Sequence, residues 1–218
     1  MSVTSQPLSS QRIPENMSQD RRAFDVLLES SIVAHIGFHA WQRPQVFPTA
    51  FAVLDDSIVI HGSTGSRWMR ALVDQPATVE VTKVDAIVVA RSTFESSVRY
   101  RSAMIFGSFA QVHGDRKAAL LEAVSDRLIP GRTQEVRPST KRELAATAVL
   151  SMPIDQWSLR VSDGWPEDED DDIAAQAWAG VVAFGAPTAR IEAAPDLRDG
   201  ITVPKSVREL AAHPERFV

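Results

Sequence analysis

From Ser18 the apolar positions follow a helical spacing. In SQDRRAFDVLLESS, Phe24, Leu27 and Leu28 fall on one face, with Ser18 in the N-cap position and Asp20 in the first turn. The period then drops to two. SIVAHIGF sets Ile32, Ala34 and Ile36 against Val33 and His35, which predicts a strand. HAWQRP reads as a turn, and QVFPTAFAVLDD as a second strand closed by Asp55-Asp56. SIVIHG is the third, so a hairpin is expected around the two aspartates. Residues Ser66 to Asp74 form a short helix ended by DQP. In ATVEVTKVDAIVVARS the residues Val79, Val81 and Lys83 alternate with Thr78, Glu80 and Thr82. VRYRSAMIFGSFAQVHG is a long strand whose Gly107 marks a bulge or bend. DRKAALLEAVSDRLIPG is an amphipathic helix with Ala119, Leu120, Val124 and Leu128 along one side, stopped by Pro130-Gly131. KRELAATAVL begins helical, and AVLSMPIDQWSLRVSDG returns to strand.

Consecutive strands with few inserted helices predict an α+β, mainly β fold: a six-stranded antiparallel split barrel with flanking helices. The strand–helix alternation of a dinucleotide-binding sheet does not persist, and no internal repeat is visible. Residues 1–17 are polar with two prolines and read as a flexible arm, 18–162 as the barrel. Residues 163–218 read as an acidic loop and an extension packing on the barrel or a partner subunit. In that extension GWPEDEDDDIAAQAW is a solvated run or the charged first turn of a helix.

Composition narrows the function classes. The 218 residues are 44% hydrophobic and 23% charged, which suits one globular domain. A net charge of -5 argues against a general nucleic-acid surface. The chain has no cysteine, which excludes disulfides, Cys-ligated zinc and thiolate catalysis, and fits a reducing compartment. The first 19 residues have no basic and apolar leader pattern, and no run of about 18 apolar residues exists. A cytoplasmic protein is expected, off the membrane.

One stretch carries chemistry. In IVIHGSTGSRWMRAL a strand runs into small hydroxylated residues and then a helix start. Gly62 and Gly65 permit close backbone approach, Ser63, Thr64 and Ser66 supply hydroxyls, and Arg67 has the guanidinium suited to bidentate phosphate contact. The same residues also read as an ordinary loop before a capped helix. No P-loop spacing is present. His35, His39, His61, His113 and His213 lack metal-ligand spacing, so no metal site is expected, and no catalytic triad can be drawn.

The ordered blocks HGSTGSR (61–67), RSTFESSVRYRSAMIFG (91–107), PGR (130–132), RPSTKRELAATAVLSMPI (137–154) and WAGVV (178–182) resemble the FMN-binding split-barrel superfamily. Within it they are most similar to the pyridoxamine 5'-phosphate oxidase-related, nitroimidazole-resistance-like flavin-nucleotide-binding proteins, over about Phe24 to Val203. The resemblance implies a homodimer with FMN at the interface. It places Thr49 and Ala50 along the isoalloxazine, His61 and Gly62 by the ribityl-phosphate, and Ser66 and Arg67 around the phosphate, where the loop's own chemistry adds the Ser63 hydroxyl as a cofactor-binding candidate. Trp68 would cover the ring edge or fill a subunit interface, and Ser102 would stand against the flavin. The oxidase has an Arg-Lys pair where this chain has Arg67-Trp68, and the acidic continuation after Trp157, Arg160 and Trp165 does not suit a phosphorylated vitamin B6 substrate. The expected function is an FMN-dependent oxidoreductase acting on a small electron-poor acceptor such as a nitroaromatic or quinone. The alternative is a non-catalytic module holding flavin, haem or the deazaflavin F420, with haem requiring an axial ligand such as His61 or another histidine.

Overall fold

The structure, a computed structural model, describes residues 13–174, 177–184, 191 and 202–213. The elements begin with β1 (Met17–Ser18), α1 (Arg21–Glu29), β2 (Val33–Ala40), β3 (Arg43–Leu54), β4 (Ser57–Ser63) and α2 (Arg67–Leu72). They continue with β5 (Pro76–Val89), β6 (Ser97–Ser108), β7 (Ala110–Gln111), α3 (Gly114–Leu128), α4 (Lys141–Ala146) and β8 (Thr147–Pro153). Then come β9 (Gln156–Ser162), α5 (Asp170–Ile173), β10 (Gly180–Ala183) and α6 (Lys205–Ala212).

All ten strands belong to one sheet in the order β1-β9-β6-β5-β2-β3-β4-β8-β7, with β10 added to β5, and every ladder between them is antiparallel. The count of six strands is therefore corrected to ten. Two of the six long apolar segments are divided, β6/β7 at Phe109 and β8/β9 at Ile154-Asp155, and the short β1 and β10 join at the margins. Two strands give the sheet its split-barrel form. β3 pairs with β2 over Arg43–Ala50 and with β4 over Phe51–Leu54. β6 pairs with β5 and β9, and its continuation β7 pairs with β8.

Local chemistry explains the corners. Trp41-Gln42 (φ 52 and 62) and Asp55-Asp56 (φ 50 and 54) both take the left-handed conformation that two-residue hairpins require. The N-cap of α1 is Asp20 and not Ser18, because the Asp20 carboxylate accepts from the backbone N–H groups of Arg22 and Ala23. Gly107 is not the bend. The β5–β6 register runs straight through it, the irregularity lies opposite Val84/Ala86, and a Cβ at Gly107 would stand 3.0 Å from Met152.

Inside the barrel, Ile36, Phe51, Ile58, Ile60, Val79, Val81, Ala103, Ile105, Phe109, Leu150 and Leu159 meet Phe24, Leu27 and Leu28 of α1 and Met69 and Leu72 of α2. Each large side chain buried this way contributes about 1.5–3 kcal/mol. On the other side of β4, Val59 joins Ala52 and Val149 under Leu120 and Val124 of α3. Strand β4 is thus covered on both faces, which is why its apolar run is continuous. Ala119, expected on the buried stripe of α3, is exposed.

The extension continues the sheet. β10 pairs with β5 from Gly180↔Val89 to Ala183↔Ala86, and the Ser206 backbone N–H at the start of α6 donates to the Glu135 carboxylate. The acidic run is not uniformly solvated. Asp168 has a side chain only 1% exposed, accepting from the Arg91 backbone N–H and pairing with its guanidinium at 2.9 Å. Only the next residues, Asp170 to Asp172, form the charged first turn of a helix. Of the expected N-terminal arm, residues 1–12 lie outside the described residues, while Met17 and Ser18 pair with Arg160 and Leu159.

Candidate functional site

The pleat sorts the candidate residues by side. Ala50, His61 and Ser102 each neighbour a core-facing residue (Phe51, Ile60 and Ala103, all at most 2% exposed), so alternation turns them to the outer surface of the sheet. The register brings others beside them: Ala50 pairs with Val33, Ser102 with Thr82 and Arg160, and His61 with Val149. Thr49 shares the parity of Phe47 and Phe51 and belongs to the opposite side. Gly62 likewise faces α2, where a Cβ would stand 2.6 Å from the Met69 sulfur. The missing side chain of Gly62 makes room for Met69, a packing requirement that the sequence does not show.

The loop after β4 is held by its own small residues. The Thr64 backbone N–H and hydroxyl both donate to the Ala146 carbonyl, at 2.9 and 3.2 Å. The Ser63 hydroxyl accepts from the Gly65 N–H at 3.1 Å, and Arg70 donates to the Thr64 carbonyl at 2.6 Å. That leaves two groups for an outside partner. Ser66 is the N-cap of α2 but its hydroxyl caps nothing, and the Arg67 guanidinium forms no ion pair among the described residues, lying 5.5 Å from the centre of the Trp41 ring. Trp68 stacks on Phe47 at 4.9 Å and 12° and packs against the barrel core.

His61 is half-buried, and burial pushes its imidazole below the ordinary value of 6.5, so the ring is neutral at pH 7. Its Nδ1 is buried without a hydrogen-bond partner. A buried polar atom left unpaired is costly and marks a place where a further group belongs.

A second polar cluster escaped the sequence reading. His35 Nδ1 lies 3.3 Å from Glu80 Oε2, and the Thr82 hydroxyl donates to Glu80 Oε1. On the same surface the Arg160 guanidinium donates to the Tyr100 hydroxyl at 2.9 Å. Alternation marks His35 and Glu80 as outward-facing, but only the β2–β5 register, which pairs them directly, makes them partners. Around them Val33, Val46, Val84 and Met104 are 46, 64, 46 and 44% exposed. Beside Gly37 a cleft of about 590 Å³ opens, bordered by Thr78, Phe106 and Asp155. Among the described residues no cluster of His, Asp and Glu is arranged to hold a bare metal ion, and no helix is long and apolar enough to cross a membrane.

Comparison with known proteins agrees with this fold. The structure is similar to that of the FAD and haem binding protein from Mycobacterium smegmatis, at 48% identity and a TM-score of 0.87, covering 90% of this chain and 97% of that one. It is similar to the flavocytochrome Anf3 from Azotobacter vinelandii at 30% identity and a TM-score of 0.86, covering 92% of this chain and 94% of that one. A candidate 5-nitroimidazole antibiotic resistance protein from Bacteroides thetaiotaomicron shares the fold at 15% identity and a TM-score of 0.55, covering 66% of this chain and 86% of that one. No curated protein matches the chain. The family model described as pyridoxamine 5'-phosphate oxidase matches residues 20–161, the barrel from the start of α1 to the end of β9. The chain belongs to the pyridoxamine 5'-phosphate oxidase family.

Proposed function

We propose that this protein is an oxidoreductase of the flavocytochrome kind, holding a flavin and a haem and passing electrons to a small electron-poor acceptor. The observation that carries the reading is the 48% identity, over nearly the full length of both chains, to a protein that binds FAD and haem. The extension supports it. The nitroimidazole-related structure covers only 66% of this chain, whereas the two proteins described with both cofactors cover 90 and 92%, a span that reaches into the extension beyond β9.

The residues fit a flavin. Among the described residues Arg67 forms no ion pair and lies only over the Trp41 ring, the Ser66 hydroxyl caps nothing, and the buried His61 Nδ1 has no partner. Bound there, the flavin supplies the electron chemistry. The protein's own part is to orient and to shield: Arg67 binds the phosphate end, Ala50 and Ser102 offer short side chains to a planar ring, and neutral His61 supplies a hydrogen bond. We favour FAD over FMN because the protein that is 48% identical over nearly the full length of both chains binds FAD. The exposed Val33, Val46, Val84 and Met104 make the outer face a surface for a second copy of the chain, which would cover both cofactors.

The test is the absorbance spectrum of the purified protein, with chromatography of the released nucleotide. Flavin and Soret bands are expected together, the flavin is expected to be FAD, and Arg67→Ala should bind it at least about tenfold more weakly, as expected when a charged contact is lost. A colourless protein that takes up neither FAD nor FMN would sink the proposal.

A further inference from the structure

We infer that His35 is the protein's axial ligand to haem iron, with Glu80 as the residue that positions it; this rests on the two-cofactor reading above. A haem ligand needs an imidazole with one nitrogen held by an acceptor and the other open to the metal. His35 has this arrangement. Its Nδ1 faces Glu80 Oε2 at 3.3 Å, its side chain is 53% exposed, and among the described residues its Nε2 meets no partner. Glu80 is itself fixed, because its second oxygen accepts from the Thr82 hydroxyl. The cluster is thus a carboxylate–histidine pair with a third group behind it.

The surroundings suit a flat apolar macrocycle. His35 stands on the outer face of the sheet between Pro48 of β3 and Glu80 of β5. Two residues along the same face, Gly37 has no side chain, and a Cβ there would meet only the Thr78 carbonyl, at 3.8 Å. Val33, Val46 and Met104 border this low area with exposed apolar side chains, and Arg160 supplies a positive charge on the same surface for a carboxylate-bearing ligand edge.

Three other histidines, His61, His39 and His113, lack one requirement or another. The buried Nδ1 of His61 has no acceptor to fix the ring, and its position beside the Ser66–Arg67 loop assigns it to the flavin's phosphate end. His39 lies on the same face as His35, at the hairpin end opposite Pro44, and pairs with no carboxylate among the described residues. His113 is the exposed N-cap residue of α3 and lies outside the β2–β5 ladder that pairs His35 with Glu80.

Haemin titration of the haem-depleted full chain, followed at the Soret band, tests the assignment, with FAD binding measured in parallel to show that each variant is folded. His35→Ala should bind haemin more than about tenfold more weakly while keeping FAD, and added imidazole should restore the wild-type band position. Glu80→Gln should keep the Soret band but raise the haem reduction potential, since a neutral amide no longer strengthens the imidazole as a donor. If His35→Ala keeps the wild-type band and His61→Ala loses it, the assignment is overturned. A wild-type protein that binds FAD and shows no Soret change with haemin overturns the haem reading and this assignment together. One that binds haemin through His35 without FAD defeats only the flavin half of the proposed function.

Discussion

The two sides of one strand, β5, show how differently this barrel treats its interior and its outer face. Val79 and Val81 are at most 1% exposed and pack in the apolar core cluster. Between and beyond them Glu80, Thr82 and Val84 carry a carboxylate tied to His35, a hydroxyl tied to that carboxylate, and an isopropyl group 46% exposed. The inner side is complete as it stands. The outer side combines ordered polar groups with apolar ones left in water, the combination found where a surface meets a ligand or another subunit. Substitutions on the inner side should therefore be read in stability, and those on the outer side in binding.

The largest expected effect lies where the two halves of the sheet join. Phe109 is fully buried at the passage from β6 to β7, its carbonyl accepts from the Asp74 N–H, and its side chain sits in the core cluster. Phe109→Ala should cost about 3–5 kcal/mol, a large share of the roughly 5–15 kcal/mol that stabilises an ordinary domain. Urea denaturation should show a much lower midpoint. A midpoint within the error of the wild type would mean that the barrel does not depend on this joint.

Gly62 separates packing from binding at the loop itself. A Cβ would meet the Met69 sulfur at 2.6 Å, and Met69 is 2% exposed with little room to retreat. Gly62→Ala should cost about 1–3 kcal/mol by overpacking, and lower Tm by about 2–4 °C for each kcal/mol. Flavin affinity at a temperature where the variant is folded should change little. An unchanged Tm with weakened flavin binding would instead make Gly62 a contact residue.

Much of this division was legible in the sequence, and the reason it was is local. Alternation needs only a period of two, so Val79 and Val81 against Glu80 and Thr82 could be read from the chain alone, and so could the hairpin at Asp55-Asp56. What could not be read depends on which strands lie side by side. The pairing of His35 with Glu80 joins residues 45 positions apart through the β2–β5 ladder. The burial of Asp168 depends on Arg91 in a distant loop, and its acidic neighbours gave no sign that one member of the run differs. Trp68 presents the same difficulty in reverse. Its place after a candidate phosphate-binding arginine pointed to the site, while its stacking on Phe47 is decided by a strand 21 residues earlier.

A smaller effect is expected at the exposed entrance to β8, where charge rather than packing acts. Glu143 closes a capping box with Thr140 at the start of α4 and meets both terminal nitrogens of Arg137 at 2.9 and 2.7 Å. The bond to Arg137, with help from Thr140, holds its carboxyl down from 4.5 to about 2. A carboxyl whose folded value is depressed binds fewer protons folded than unfolded. Its contribution is therefore complete above about pH 4.5 and is lost as pH falls towards about 2. Stability measured across that window should fall less steeply in Glu143→Gln than in the wild type. Equal slopes would mean that other carboxylates carry the acid sensitivity.

The least effect on the fold, and the one that sharpens the contrast most, belongs to the outer face. Val46 and Met104 are 64 and 44% exposed; Met104 begins the row that runs Met104–Glu80–His35–Pro48 across four strands, and Val46 lies two residues from its other end. Replacing both by lysine removes no buried contact, so urea stability at low protein concentration should stay within about 0.5 kcal/mol. If the face is covered by a second copy of the chain, two cations per protomer would be brought against its partner at an apolar contact, and desolvating them is unfavourable. Sedimentation should then show the wild type as a dimer and the double variant as a monomer. A wild type that sediments as a monomer, or a double variant that stays dimeric, would mean that the apolar groups of this face serve the ligand alone. The inner and outer sides of the sheet would then differ in what small molecule they exclude or admit, and not in what protein they meet.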